Sequence, residues 1–208
     1  MSNPTLEDDV IAFLADMADS ISIFIRKISG KELEKKTLAE FAPGSIVKIG
    51  NHEMIVLEQM DGKTALIRKE CFEDESAFGS ENNNYAESIV DSLCGAFADV
   101  IAAEVGSDNI LEHDVDLTVL TGDKSYGALT RQVSLMTLER YQRYVDILDQ
   151  HKPDSWWWLA TADSTKRHKN DNWVLCVSPS GCIGIVSCYY DGGVRPFCIL
   201  KSHIFVSR

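Results

Sequence analysis

The sequence Trp156-Trp157-Trp158-Leu159-Ala160-Thr161 places three consecutive tryptophans at the head of an apolar run. If the run is a β-strand, its side chains alternate between two faces, so Trp157 points opposite to Trp156 and Trp158. At least one face must then be heavily buried, and we expect each ring to pack in a core. The alternative is that one ring lines a ligand surface, because tryptophan is enriched in recognition sites.

Short strands separated by turns are predicted on the C-terminal side of this run. Residues 161–172 read as a polar loop, and the strands predicted after it span residues 173–177, 182–189, 194–200 and 204–206. Residues 178–181 and 191–193, which are rich in glycine, serine and proline, supply the turns. Because the connections are short, we expect the first three of these strands to pair consecutively in one antiparallel sheet.

The chain before the tryptophans mixes strands with helices. Its predicted elements are strands at residues 45–49, 54–57 and 64–68, a helix over about residues 85–105, a short strand at residues 115–120 and a helix from about residue 137. Asp61-Gly62 is a strong hairpin signal, Gly106 ends the first helix, and Thr137 is a natural N-cap for the second. This order predicts an α+β domain over residues 44–208, with two helices and a small antiparallel sheet.

Residues 1–43 are predicted to form an N-terminal amphipathic helix, over residues 5–29, and a charged connector. Apolar side chains recur in the helix at alternating spacings of four and three, as in a heptad seam: Val10, Leu14, Met17, Ile21, Phe24 and Ile28. Three heptads are marginal for an isolated coiled coil. The helix therefore either docks on its own domain or joins copies of the chain into a homo-oligomer.

Charge and hydropathy exclude several classes of partner. The chain has 208 residues and a formal net charge of -12, so a phosphate backbone would be repelled and nucleic acid is not expected to bind. Its start lacks the basic and apolar regions of a secretory signal, and no apolar stretch approaches the roughly 20 residues that span a bilayer. We therefore expect no membrane insertion, and a location in the cytoplasm or in a virion released by lysis.

Enzyme and metal signatures are missing from the sequence. It contains no GxSxG elbow, no P-loop, no GxGxxG and no HExxH, and its six cysteines include no CxxC pair. We therefore expect a protein that is not an enzyme, with no cofactor, no metal and reduced thiols. The nearest approach to a metal cluster is His113, Asp114 and Asp116, for which a solvated acidic edge is the preferred interpretation.

Several of these segments resemble an uncharacterised bacterial and phage domain family whose ending is written WWLR, a turn, and then GVRP before an apolar strand. The matching residues are Trp156–Thr161, Ser180-Gly181, Gly193-Val194-Arg195-Pro196 and, upstream, Tyr126-Gly127, 133–137 and Tyr141. The resemblance covers roughly residue 44 to the C-terminus. Ala160 departs from it, because arginine is usual there, and this puts the family's local salt bridge in doubt.

The resemblance implies a C-type-lectin-like fold, which formylglycine-generating enzymes share. Many similar proteins look like the variable targets of diversity-generating retroelements in phages and gut bacteria, where adenine-directed mutagenesis rewrites a C-terminal ligand-binding face. Mutagenesis of AAY codons cannot supply Lys, Glu, Gln, Met or Trp, and residues 178–191 contain none of these. The implied function is non-enzymatic binding of a protein or glycan. One alternative is a structural or assembly protein. A second, which fits the sequence less well, is a formylglycine-generating-type enzyme, because no cysteine pair in this sequence aligns with the pair that such enzymes require.

The candidate binding residues come from the polar loop after the tryptophans and from the turns that follow it. Tyrosine beside small, flexible neighbours is typical of recognition surfaces, because it offers broad contact at low entropic cost. We predict that one exposed surface contains Ser164, Arg167, His168, Asn170, Asn172, Ser178, Cys182, Tyr189, Tyr190 and Asp191. Tyr189 and Tyr190 alternate along their strand, so one is expected to face the ligand while the other packs. Arg195 is expected to be structural, pairing with a carboxylate or with loop carbonyls.

Overall fold

Short antiparallel β-strands make up most of the regular structure in the computed structural model, which describes residues 36–207. The strands are Lys36–Thr37 (β1), Ile46–Ile49 (β2), His52–Met60 (β3), Lys63–Arg68 (β4), Ser76–Ala77 (β5), Ile110–Leu111 (β6), His113–Asp116 (β7), Ala128–Arg131 (β8), Val133–Ser134 (β9), Trp157–Ala162 (β10), Trp173–Val177 (β11), Ile183–Ser187 (β12), Asp191–Gly192 (β13), Phe197–Lys201 (β14) and Phe205–Val206 (β15). The helix predicted over residues 5–29 lies outside the described residues.

Three α-helices accompany the strands in this part of the chain. They are Ile89–Val105 (α1), Leu138–Arg143 (α2) and Val145–Leu148 (α3). Helix α1 begins later than predicted, because residues 85–87 form a 3₁₀ turn and Ser88 caps the helix by accepting a hydrogen bond from the Asp91 amide at 3.0 Å. Gly106 ends α1 and Thr137 caps α2, as predicted. No helix within residues 36–207 is both long and apolar enough to cross a bilayer.

The largest sheet has six strands, with β2, β3, β4, β14 and β6 side by side and β9 also paired to β14. Strands β3 and β4 form the predicted hairpin, and Gly62 in its turn has φ 67°, a conformation that glycine adopts without strain. Strand β1 pairs with β15, and Leu38 beyond it is fully buried. Residues before position 44 were predicted to be a connector. From Lys36 onward they are instead part of the fold.

A second sheet contains β10, β11 and β12 in that order. The pairing of β11 with β12 was predicted, but the prediction that the next strand joins the same sheet is wrong, because β14 pairs with β4 in the large sheet. Between β12 and β14 the chain pairs with β5 through Asp191–Gly192. Gly193 then forms a parallel bridge with Trp157 through the backbones of Trp156 and Trp158. The connection therefore leaves the edge of β12 before β14 begins.

Two hydrophobic cores lie on the two faces of β10. Trp158 belongs to the core that contains helix α1, whereas Trp157 belongs to the core that contains Tyr141 and Tyr144. All six residues of β10 are buried, so the alternation expected for the tryptophans is present with both faces covered. The described residues thus form an α+β fold of small antiparallel sheets and a few helices, with β10 at its centre.

Candidate functional site

A surface cavity of about 340 Å³ lies where β10 begins, and we call it the Trp156 cavity. It is lined by Glu75, Ser155, Trp156, Trp157, Trp158, Cys176, Val186, Tyr190, Asp191 and Gly192. Its volume falls within the range of about 300–1,000 Å³ that is usual for small-molecule sites. The lining combines aromatic side chains with carboxylates, which are contributed by segments far apart in the chain.

One face of the second sheet forms the base of the cavity. Strand pairing sets Trp158, Cys176 and Gly184 side by side across β10, β11 and β12. Side chains two residues apart on a strand share a face, so Trp156 lies on this face as well. A Cβ atom on Gly184 would approach the Trp156 ring to 2.9 Å. The missing side chain of Gly184 therefore leaves the space that the Trp156 ring occupies.

The Trp158 ring forms a rigid wall of the cavity. Its indole N–H donates to the backbone oxygen of Ser76 at 2.9 Å, and its ring meets Phe78 edge to face at 5.7 Å. A Cβ atom on Gly192 would lie 2.8 Å from this ring. Because these contacts hold the ring on both sides, the wall does not depend on a ligand for its position.

The rim of the cavity carries an exposed aromatic residue and two carboxylates. Tyr190 is 66% exposed and Trp156 is 47% exposed, so a ligand can reach both rings from solvent. Asp191 and Glu75 supply the charge, and the Ser155 hydroxyl donates a hydrogen bond to Glu75. Among the described residues that line the cavity, no lysine or arginine offsets these carboxylates. The cavity is therefore aromatic and negatively charged.

Arg195 fixes the framework behind the cavity, as the sequence predicted. It is 1% exposed, and its guanidinium donates to the backbone oxygens of Arg68, Lys69 and His151, each at 2.9 Å. It also lies over the Trp157 ring, 5.1 Å from the ring centre. Burial lowers the pKa of Arg195 to about 10, so the group remains charged at neutral pH. Loop carbonyls, rather than a carboxylate, hold this charge in place.

The chain matches no protein-family model, no curated protein and no solved structure. What the cavity binds must therefore follow from its own side chains. No group of three or more histidine, cysteine or acidic residues within residues 36–207 is arranged to hold a metal ion. Asp114 and Asp116 do share an exposed face of β7, but His113 beside them is buried and points away.

Four of the thiols are covered by the fold, and their pKa values are raised. Burial raises the pKa of Cys71 and Cys176 to about 11, and that of Cys94 and Cys198 to about 12. A thiol with such a pKa stays protonated near pH 7, whereas the thiolate is the reactive form. Cys176 therefore enters the cavity lining as a protonated thiol.

The predicted recognition loop is only partly exposed. Arg167 and His168 are exposed, with His168 3.4 Å from Asp123, whereas Asn170 is half-buried and donates to Asp163 at 3.0 Å. The placement of Ser164 on this surface is wrong, because the side chain is buried and its backbone oxygen accepts a hydrogen bond from the Asn83 amide at 3.0 Å. This hydrogen bond holds the start of the loop against the segment that contains Asn83.

Ser178 and Cys182 do not lie on the predicted surface. They flank the turn between β11 and β12, whereas Asn172 and Tyr189 lie at the other end of this hairpin. Six residue steps separate Asn172 from Ser178, which corresponds to roughly 20 Å along a strand. Ser178 is also buried, with its hydroxyl accepting from the Cys182 amide at 3.0 Å. The prediction of one surface for all ten residues is therefore wrong.

The structure does bring the tyrosines of the predicted site together with Asn172 and Asp191. The Tyr189 hydroxyl donates to the backbone oxygen of Glu81 at 3.1 Å and lies 3.2 Å from the side-chain oxygen of Asn172. Tyr190 and Asp191 line the Trp156 cavity instead. The prediction that one tyrosine packs while the other faces the ligand is wrong, because both rings are exposed and both residues follow the end of β12 at Ser187.

Sequence reasoning missed Glu75, Ser155, Cys176 and Val186, which also line the cavity. Trp156 was one of the three rings for which a place in a ligand surface was the alternative to core packing, and the structure exposes it at 47%. Glu75 carried no usable signal, since it lies in an acidic stretch whose members look alike in sequence. Only the fold brings it to Ser155, 80 positions along the chain.

Proposed function

We propose that this chain is a non-enzymatic binding protein whose recognition surface surrounds the Trp156 cavity. The observation that carries the proposal is the exposure of Trp156 and Tyr190 around a cavity whose inner walls are buried and hydrogen-bonded. Aromatic residues of this kind dominate the energetics of protein recognition sites. A rigid scaffold that presents them keeps the ordering cost of binding low.

The finer form of the proposal is a C-type-lectin-like variable protein of a phage or bacterium, located in the cytoplasm or a virion. It is supported by the packing of the segments that resemble such proteins, since Gly193 bridges Trp157 and Arg195 covers the same ring. Val186, Tyr190 and Asp191 of the cavity also fall within residues 178–191, the segment compatible with adenine mutagenesis. Diversification of Tyr190 and Asp191 would change the cavity without replacing a core residue, whereas Cys188 in the same segment is part of the core.

Ligand screening with matched variants tests the binding function. The wild-type chain is screened against glycan arrays and displayed peptide libraries, and every binder is measured again with Trp156→Ala. Trp173→Ala is the control, because Trp173 has a similar exposure, 43%, and does not line the cavity. We expect Trp156→Ala to weaken binding at least tenfold and Trp173→Ala to leave it unchanged. A binder affected equally by both variants, or by neither, would place recognition elsewhere.

The DNA next to the gene tests the finer proposal. We expect a near-copy of the segment that encodes residues 178–191, differing at adenines, beside a reverse-transcriptase gene. Without such a repeat, the cavity remains a binding site but is not a diversified one.

A second candidate function, assembly into a larger structure, is favoured by the outer edge of β12, which pairs with no other strand within residues 36–207. Ile183 and Ile185 are each 45% exposed on this edge strand, and Trp173 lies on the same face of β11. Exposed apolar edge strands are templates for pairing with another chain. Sedimentation of wild type and Ile185→Lys tests this function, which predicts an oligomer that the lysine disrupts.

A further inference from the structure

We propose that the Trp156 cavity binds alkylammonium groups, and quaternary ones such as the trimethylammonium head of choline above all. The inference rests on the proposed function and names the chemical class of ligand for the same site. It is drawn from the aromatic lining, the sign of the charge and the hydrogen bonds that the lining has already made.

The aromatic lining is the first observation. Trp156 and Tyr190 border the cavity with accessible rings, whereas the Trp158 ring, which also lines it, is 1% exposed; Gly184 leaves room for the Trp156 ring. The faces of tryptophan and tyrosine rings attract cations, because the π electrons concentrate negative charge there. Several rings around one cavity form the aromatic cage that recognises quaternary ammonium ions.

The charge of the lining is the second observation. Glu75 and Asp191 carry negative charge at the rim, and no described lining residue is a lysine or arginine. The formal net charge of -12 adds a long-range attraction for cations. An anionic ligand, such as a phosphate or a sulfate, would meet repulsion from the carboxylates and from the protein as a whole.

The position of the acceptors decides between a quaternary and a primary ammonium. The Trp158 indole can only donate a hydrogen bond, and it already donates to the Ser76 backbone oxygen. The inner lining, with Cys176 and Val186, therefore offers no strong acceptor to an ammonium that carries three N–H donors, and the carboxylates of Glu75 and Asp191 lie at the rim. A quaternary ammonium has no such donors, so it loses no hydrogen bonds when the rings replace its water.

A proton NMR titration of the full chain with choline tests the proposal, with the neutral carbon isostere dimethylbutanol as the matched ligand. We expect the choline N-methyl resonances to move upfield, since ring faces shield protons above them, and the isostere to bind at least about fivefold more weakly. Equal binding of the two ligands would overturn the inference. It would leave the proposed function standing, because the cavity would still bind a ligand.

Variants place the binding at the cavity. Trp156→Ala and Tyr190→Ala should each weaken choline at least about fivefold. Trp173→Ala and Tyr189→Ala are the matched controls, because both residues are exposed and lie outside the lining. Asp191→Asn should weaken binding and reduce its dependence on salt, whereas Asp114→Asn on the exposed face of β7 should not. Choline binding that all of these variants retain would overturn the inference.

A peptide that carries trimethyl-lysine distinguishes the two sources of the same chemistry. Tighter binding of the peptide than of choline indicates a protein-borne ligand, and the reverse indicates a small molecule or a lipid head group. If neither ligand binds, while screened ligands still depend on Trp156, the alkylammonium class is wrong and the proposed function holds. If neither binds and no screened ligand depends on Trp156, both proposals fail.

Discussion

Replacing Arg195 by methionine should remove much of the stability of the fold. The change keeps an unbranched apolar stem but deletes a guanidinium that donates three hydrogen bonds at 2.9 Å to partly buried backbone oxygens. Each carbonyl left without its donor costs about 1–3 kcal/mol, and loss of the desolvation penalty of the guanidinium offsets part of that sum. We therefore expect the free energy of unfolding to fall by about 4 kcal/mol, out of a typical 5–15 kcal/mol.

Urea unfolding followed by circular dichroism measures this loss, since the midpoint and slope give the free energy of unfolding. Arg195→Lys retains the charge but cannot reach three carbonyls with one ammonium, so we expect an intermediate loss. Arg143→Met is the matched control, because Arg143 is more than half exposed and its contacts with Glu139 and Tyr144 lie at the surface. It should change the free energy by less than about 0.5 kcal/mol. A loss below about 1 kcal/mol in Arg195→Met would refute the assignment of Arg195 as the framework of the site.

Three further predictions concern pH, packing and thiol exposure. Burial lowers the pKa of His113 from 6.5 to about 3, so acid favours the unfolded chain. The wild-type protein should lose stability progressively from about pH 6.5 down to about pH 3, more steeply than His113→Gln, when both are unfolded in urea at a series of pH values. Equal slopes of stability against pH for the two proteins would contradict this. Gly192→Ala should cost about 1–3 kcal/mol by forcing a methyl group to within 2.8 Å of the Trp158 ring. Gly95 lies in α1, and a Cβ atom there would have nothing within 4 Å, so Gly95→Ala should instead stabilise the fold by up to about 1 kcal/mol. If thermal unfolding shows a stability change of the same sign in both variants, the contact with the Trp158 ring does not determine the result. Cys182 is exposed, Cys71 is half-buried and the other four cysteines are buried. Brief alkylation of the native protein, analysed by mass spectrometry, should therefore modify Cys182 first. If a buried cysteine is modified before Cys182, the cysteines are not packed as described.

Local sequence signals predicted the elements whose causes are local. The hairpin at Asp61-Gly62, the cap at Thr137 and the end of α1 at Gly106 each depend on the backbone preferences of a few neighbouring residues. Tryptophan alternation along β10 is equally local, because successive side chains on any strand point to opposite faces. The structural role of Arg195 also followed from sequence, since a buried guanidinium has to find acceptors.

Sequence could not decide which strands meet or which polar residues are covered. Strand β14 pairs with β4 in the large sheet, and Asn83 donates to the Ser164 backbone from a distant segment. The Trp156 cavity itself joins Glu75 to Ser155 and Tyr190, and no pattern within a single segment predicts these contacts. The sequence by itself thus determined most of the longer strands, the caps and the two-faced tryptophan run, but not the short strands such as β1, β5 and β13. Only the tertiary structure decided the site, because the cavity is formed by contacts between segments that are distant in sequence, and the residue pattern of one segment does not predict which other segment it will contact.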